Sequence, residues 1–180
     1  MIQKKHVVNI CNQTKCTSID QDRLQQGICL VLQEHRVARA IIGLAIVTDD
    51  TIHKMNRQYL KHDYTTDVLS FPLSSPEAPV LEGEIAISFE TAKHRATEYH
   101  WRTEDELLLY AIHGALHLVG FSDHSQEEQA EMRDCEKKIL EQMNLVPAKD
   151  TTPRLKSAEH QVTTKPNCSS PPSWNATNQS

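Results

Sequence analysis

Leu107-Leu108-Leu109-Tyr110-Ala111-Ile112-His113-Gly114-Ala115-Leu116-His117-Leu118-Val119-Gly120-Phe121-Ser122-Asp123-His124 is an apolar helix in sequence terms. It carries two histidines four residues apart, a glycine stop, and a third histidine just beyond. Residues i and i+4 lie one above the other on a helix face, about one turn (~5.4 Å) apart. Two imidazoles placed that way converge on one cation. Gly120 suits the C′ position, where glycine takes the left-handed conformation without a Cβ penalty. The chain then turns back and brings His124 towards the first two. Three neutral imidazoles leave a fourth tetrahedral position open, the stoichiometry of a catalytic zinc site rather than a closed structural one. A single histidine on an apolar helix is more often a packed core residue than a ligand. Three imidazoles around one glycine stop are more than core packing asks for.

Outward from this helix, 180 residues suggest one domain with room for a tail. The net charge of −5 does not announce a nucleic-acid partner, so any such binding needs a local basic patch. Five scattered cysteines without a CxxC fit reduced thiols in a cytosolic protein. The segment Met1-Ile2-Gln3-Lys4-Lys5-His6 precedes no long apolar run, so no signal peptide is expected. No apolar stretch reaches 18 residues, so no membrane helix is expected either.

Val7 to Cys11 is a β-branched run that predicts a first strand. Ser18-Ile19-Asp20-Gln21 resembles a capping box. Leu24, Ile28, Val31 and Leu32 then recur at helical spacing, which predicts a helix from about Asp20 to Glu34. Ala40 to Val47 reads as a strand buried on both faces. Thr48-Asp49-Asp50 supplies a cap and first-turn acids for a helix to about Leu60. Asp67 to Pro72 and Glu82 to Ser88 are two further strands, expected side by side. Ser88 caps a helix to about Tyr99. Thr103 with Glu106 predicts a capping box opening the histidine helix, and Ser125 with Glu128 another for a last helix. There Met132, Cys135, Ile139 and Met143 form one stripe. After Pro147 apolar residues thin out, so 148–180 is expected to be a disordered tail behind a single domain of residues 1–147.

Zinc held by three histidines lowers the pKa of bound water to about 7 and polarises carbonyl or phosphoryl oxygens. The pattern is similar to the HExxH of zinc peptidases, where the glutamate is the general base. Gly114 occupies that position here, which argues against peptide hydrolysis. A second cluster, Asn56-Arg57-Gln58-Tyr59-Leu60-Lys61-His62-Asp63-Tyr64-Thr65-Thr66-Asp67, sets cations and an aromatic before a buried strand. Arg57 as a fork and Lys61 as a point charge suit phosphates. A solvated helix end accounts for the same residues and is the commoner occurrence.

His113-Gly114-Ala115-Leu116-His117-Leu118-Val119-Gly120-Phe121 followed by Asp123-His124 resembles the signature of the YbeY family of bacterial rRNA-maturation endoribonucleases. Asn56 and Tyr59, Thr66 to Pro72, and Gly83 to Ser88 resemble its other blocks, in the same order. The resemblance spans roughly residues 6–146. It implies an α+β domain with a small mixed β-sheet packed with several helices, and one zinc ion held by His113, His117 and His124 at the end of a central helix. It implies a metal-dependent, single-strand-specific endoribonuclease of the cytoplasm. The implied work is maturation of the 16S rRNA 3′ end and ribosome quality control, with precursor rRNA and the small ribosomal subunit as partners. Two departures stand out. His124 lies eleven residues after His113, where many relatives have ten, which keeps Asp123 open as an alternative third ligand. Leu60 stands where some relatives have a functional arginine, so the cation must come from Arg57 or Lys61. Two other functions stay open at this level: a non-catalytic ribosome-assembly factor with a structural zinc, and a zinc peptidase.

Overall fold

A computed structural model describes residues 5–145, and the expected tail at 148–180 lies outside the described residues. Four strands form one sheet in the order β1-β2-β4-β3: β1 Lys5–Asn12, β2 Arg39–Val47, β3 Val68–Pro72 and β4 Leu81–Ser88. β1, β2 and β4 run parallel, and β3 is antiparallel to β4, with Leu69 opposite Ala86. Five α-helices pack with it: α1 Gln21–Glu34, α2 Asp49–Met55, α3 Phe89–Glu98, α4 Thr103–Leu118 and α5 Gln126–Gln142. The architecture is the mixed α+β sheet that the family resemblance implies, and the two late strands do pair.

Alternation along the strands divides the core in two. Ile42, Leu44 and Ile46 of β2, Ile85 and Ile87 of β4, and Val68 of β3 face one way and join the cluster that holds α1 and α4. Ala45, Val47, Leu69 and Ala86 face the other way and pack on Ile52 and Met55 of α2. α4 is buried from Asp105 to Leu116, because the sheet, α1, α3 and α5 all contact it. A helix apolar nearly all round belongs in such a position.

Local chemistry explains where the ends differ from expectation. Asp20 caps α1, accepting from the Arg23 N–H at 3.0 Å, so Ser18 is not the cap. Thr103 falls just inside α4, whose cap residue Arg102 makes no side-chain capping bond. Glu106 is fully buried instead of folding back to the cap, and Asp105 binds Arg23 at 2.6 Å. Three first-turn acids, Glu104, Asp105 and Glu106, oppose the positive end of the helix dipole in place of a cap. The Ser125–Glu128 capping box is formed. The helix expected to run on to Leu60 changes at Asn56 into a π-helical turn, Asn56–Leu60, closed by Lys61 at φ 63°. A π turn inserts one residue into the helical register. Here it turns Asn56 inward, where its Nδ2 donates to the Tyr64 carbonyl at 2.8 Å.

Candidate metal centre

The close approach of α4 to the sheet begins at Gly114. A Cβ there would lie 2.6 Å from Ile85 Cγ2 and 3.1 Å from Ser70 Oγ, so only glycine fits without a shift. Ser70 Oγ donates to the Gly114 carbonyl at 3.1 Å, which ties the helix to β3. The neighbouring His113 is thereby buried beside the start of β3, close enough to Asp67 for the two charges to interact.

After Leu118 the helix stops in a Schellman turn. Gly120 N–H donates to the His117 carbonyl at 3.1 Å and Phe121 N–H to the Leu116 carbonyl at 3.0 Å. Gly120 has φ 104°, as its role as the stop requires. The turn also aims the Phe121 carbonyl back at His117, whose Nδ1 lies 3.1 Å from it. An edge-on contact with His35, ring centroids 4.9 Å apart, fixes Phe121.

His113 Nδ1 lies 2.7 Å from Glu136 Oε1, and His113 Nε2 lies 3.0 Å from His117 Nε2. A carbonyl and a carboxylate only accept, so both Nδ1 atoms carry hydrogen. In the neutral rings both Nε2 atoms are therefore lone pairs, and they face each other. That arrangement is repulsive unless a cation, either a metal ion or a proton on one Nε2, lies between or beside them. Two zinc-bound nitrogens at about 2.0–2.1 Å from the metal stand roughly 3.3 Å apart in a tetrahedron. The observed separation fits that demand. Anchoring of the second ring nitrogen by a carboxylate or carbonyl is the usual support of a ligating histidine.

The surrounding charges favour a cation as well. Burial alone would lower the His113 pKa, but the Glu136 carboxylate on Nδ1, with Asp67 and Asp123 nearby, raises it above its ordinary value. Burial raises the Asp67 pKa, partly offset by His113. Burial also pushes the Tyr110 hydroxyl up, with Asp67 and Glu106 adding to it, so Tyr110 stays neutral.

Among the described residues, one group of donors lies close enough to share a metal ion: His113, His117 and Asp123, with all ligand atoms within 4.8 Å of one another. Asp123 is buried, and its Oδ2 is 3.9 Å from His117 Nε2. His124 is exposed and stands outside this group. Arg57 and Lys61 are exposed on the π turn, which continues α2 on the face of the sheet opposite α4. The bonds that hold the two imidazoles come from Glu136 and Phe121, not from these cations. Glu136 was missed in the sequence. Its signal was a carboxylate on the apolar stripe of α5, four residues after Met132 and three before Ile139. The buried set there is Met132, Glu136, Ile139 and Leu140, with Cys135 half-buried.

A family model described as Endoribonuclease YbeY matches residues 9–144. A protein of Rhodopirellula baltica named Endoribonuclease YbeY is 42% identical over 123 residues, 67% of this chain and 63% of its own length. One of Chloroherpeton thalassium with the same name is 38% identical over 73% of this chain and 92% of its own. One of Carboxydothermus hydrogenoformans, also so named, is 34% identical over 77% and 99%. The solution structure of TM1509 from Thermotoga maritima is similar at a TM-score of 0.56 and 26% identity, covering 82% of this chain and 98% of that one.

Proposed function

The chain belongs to the YbeY endoribonuclease family, and from that premise we propose that it is a metal-dependent endonuclease of single-stranded RNA. The observation that carries the metal part is the 3.0 Å approach of the His113 and His117 Nε2 atoms, with an acceptor on each Nδ1. The names of the relatives support RNA as the substrate. We propose zinc as the ion, one per chain, held by His113, His117 and a third donor from the Asp123–His124 turn. His124 is the imidazole that the family resemblance implies, and Asp123 is the carboxylate turned inward. We further propose precursor 16S rRNA as the natural substrate, the small ribosomal subunit as partner, and the cytoplasm as location. No helix among the described residues is long and apolar enough to cross a membrane.

When bound, a divalent ion supplies Lewis-acid polarisation of a phosphoryl oxygen and eases deprotonation of water near neutral pH. The protein's own residues supply orientation. Glu136 and the Phe121 carbonyl hold protons on the two Nδ1 atoms, which keeps the opposite nitrogens available. Arg57 and Lys61, exposed beyond the sheet, are proposed as phosphate contacts along the strand rather than as ligands of the metal. Peptide hydrolysis is disfavoured on steric grounds. Any side chain at position 114 would start 2.6 Å from Ile85, so the peptidase glutamate has no room there.

The test is cleavage of a labelled single-stranded RNA by the purified full chain, with metal content measured in parallel. About one zinc per chain is expected, with cleavage that a chelator stops. In His117→Ala, zinc should fall close to zero and cleavage by at least ~100-fold, more than is typical for loss of a supporting residue. Equal cleavage by wild type and His117→Ala would overturn the enzymatic claim. Stoichiometric zinc without any RNA cleavage would leave an assembly factor with a structural metal.

A further inference from the structure

The loop after the π turn displays an aromatic ring to solvent. Among the described residues the exposed large apolar side chains are Ile41, Tyr64 and Leu73, and Tyr64, 45% exposed, is the aromatic one. Its ring lies nearly parallel to that of His62, with centroids 5.4 Å apart and 14° between planes. Tyr64 Oη and His62 Nδ1 are 3.2 Å apart. The backbone beneath is pinned at several points. Asn56 Nδ2 donates to the Tyr64 carbonyl at 2.8 Å, and His53 Nε2 contacts Asp63 Oδ1 at 2.8 Å. Lys61 starts the loop in the left-handed conformation. The ring pair is therefore held in place before any ligand arrives, which reduces the ordering cost of binding.

Two exposed cations, Arg57 and Lys61, precede this pair in the chain. The nearby anion Asp63 already has His53 as a partner. Aromatic faces beside cations are the composition of sites that bind single strands without reading sequence, because every base has a π face. The platform is also tethered to the histidine pair. Asp67 follows Tyr64 by three positions, at most about 11 Å of chain, and Asp67 interacts with His113. A short oligonucleotide can span such a gap.

We propose that the His62–Tyr64 ring pair is a stacking platform for a nucleobase of the single-stranded RNA substrate, with Arg57 and Lys61 on the adjoining phosphates. This rests on the reading of the protein as an RNA endonuclease. The platform sets affinity and where the strand lies, and it leaves the chemistry to the histidine side.

The experiment measures binding of a fluorescein-labelled adenosine decamer to the full chain by anisotropy, with cleavage of the same samples followed on a gel. A decamer of abasic residues serves as the second probe. Tyr64→Ala should weaken binding of the adenosine decamer roughly 5- to 100-fold, while Tyr64→Phe stays within about twofold of wild type because the ring face remains. On the abasic decamer Tyr64→Ala and wild type should agree. The salt dependence of Tyr64→Ala should keep the wild-type slope, since no phosphate contact is lost. Wild-type affinity in Tyr64→Ala, or equal weakening on both decamers, overturns the platform while wild-type cleavage leaves the endonuclease reading intact. If zinc-loaded wild type neither binds nor cleaves the decamer, the endonuclease reading fails and the platform with it.

Discussion

The histidine end of α4 and the π turn with its loop, residues 56–67, both collect polar side chains, but by opposite means. At the first, the two imidazoles and the helix carbonyl beside them are buried or half-buried and each has a partner: Glu136 for His113, the Phe121 carbonyl for His117, Ser70 for the Gly114 carbonyl. At the second, cations and a ring stand in solvent on a loop pinned mainly through its backbone and Asn56. A buried polar site is costly unless satisfied, so its geometry is fixed and any change is felt sharply. An exposed site adapts, and its members contribute small, separable amounts. The two regions should therefore respond to mutation on different scales.

The largest effects belong to the metal donors. His117→Ala should remove zinc altogether. The turn beyond Gly120 offers two candidate third donors, and one of Asp123→Ala and His124→Ala should lose zinc as His117→Ala does while the other keeps it. Metal analysis of the two purified variants decides which. Full zinc in both would place the third donor outside this turn.

Glu136→Gln comes next. It keeps the shape of the side chain but takes its charge from His113. Zinc affinity should fall about 10- to 100-fold, the usual size for a support of this kind, measured by competition with a chromogenic chelator. A change under twofold would mean that Glu136 serves packing alone, and the contrast between a supported and an adaptable site would lose its main member.

Two glycines of the same helix separate packing from backbone strain. Gly114→Ala gains helix propensity, roughly 1 kcal/mol, but drives a methyl into Ile85, at about 1–3 kcal/mol. Gly120→Ala meets nothing within 4 Å and suffers only from its φ of 104°, at about 1–2 kcal/mol. Both should destabilise in urea titrations by similar amounts. Gly114→Ala should reduce zinc affinity by shifting the helix that carries both imidazoles, whereas Gly120→Ala acts on the site only through the turn that holds the Phe121 carbonyl on His117.

The unequal legibility of the two regions has the same origin. HxxxH with a glycine stop is local, so His113, His117 and the turn at Gly120 could be read from spacing. The α+β sheet was legible because Ala40–Val47 and Ile85–Ile87 carry unambiguous strand patterns. Glu136 was not, since its partner is 23 residues away and a carboxylate on an apolar stripe looks like a solvated edge until the fold closes. Asp123 and His124 are neighbours with the same ligand chemistry, so only the path of the turn separates them. The π turn left no mark: Asn56 to Leu60 contains neither glycine nor proline, and the Asn56 bond to the Tyr64 carbonyl that accompanies it joins residues eight apart. Thr103 and Glu106 matched a capping box by type, yet burial of Glu106 against the core won.

On the exposed side the expected effects are smaller. Arg57→Ala and Lys61→Ala should each weaken RNA binding a few-fold. Each should also reduce the slope of log affinity against log salt by about 0.7, the value for one phosphate contact on a single strand. Unchanged slopes would make both residues solvated helix-end charges and leave the loop with stacking alone.

Glu128 gives the smallest effect and probes the boundary between the two kinds of site. It belongs to the histidine region, as the capping-box residue of the helix that carries Glu136, yet its carboxylate is open to water. The Ser125 backbone N–H that it accepts lowers its pKa below 4.5. A depressed carboxylate contributes stability above its unfolded pKa and loses it as pH falls through the folded value. Glu128→Gln should therefore be slightly less stable than wild type at pH 7, and the difference should close as the medium becomes more acidic than the folded-state pKa. Thermal melts of the two proteins across that range measure it. Zinc affinity of Glu128→Gln at pH 7 should match wild type, because Ser125 still caps α5 through the Glu128 N–H at 3.1 Å. A marked loss of zinc would show that the α5 cap positions Glu136, and would extend the rigid region out to a residue at the surface.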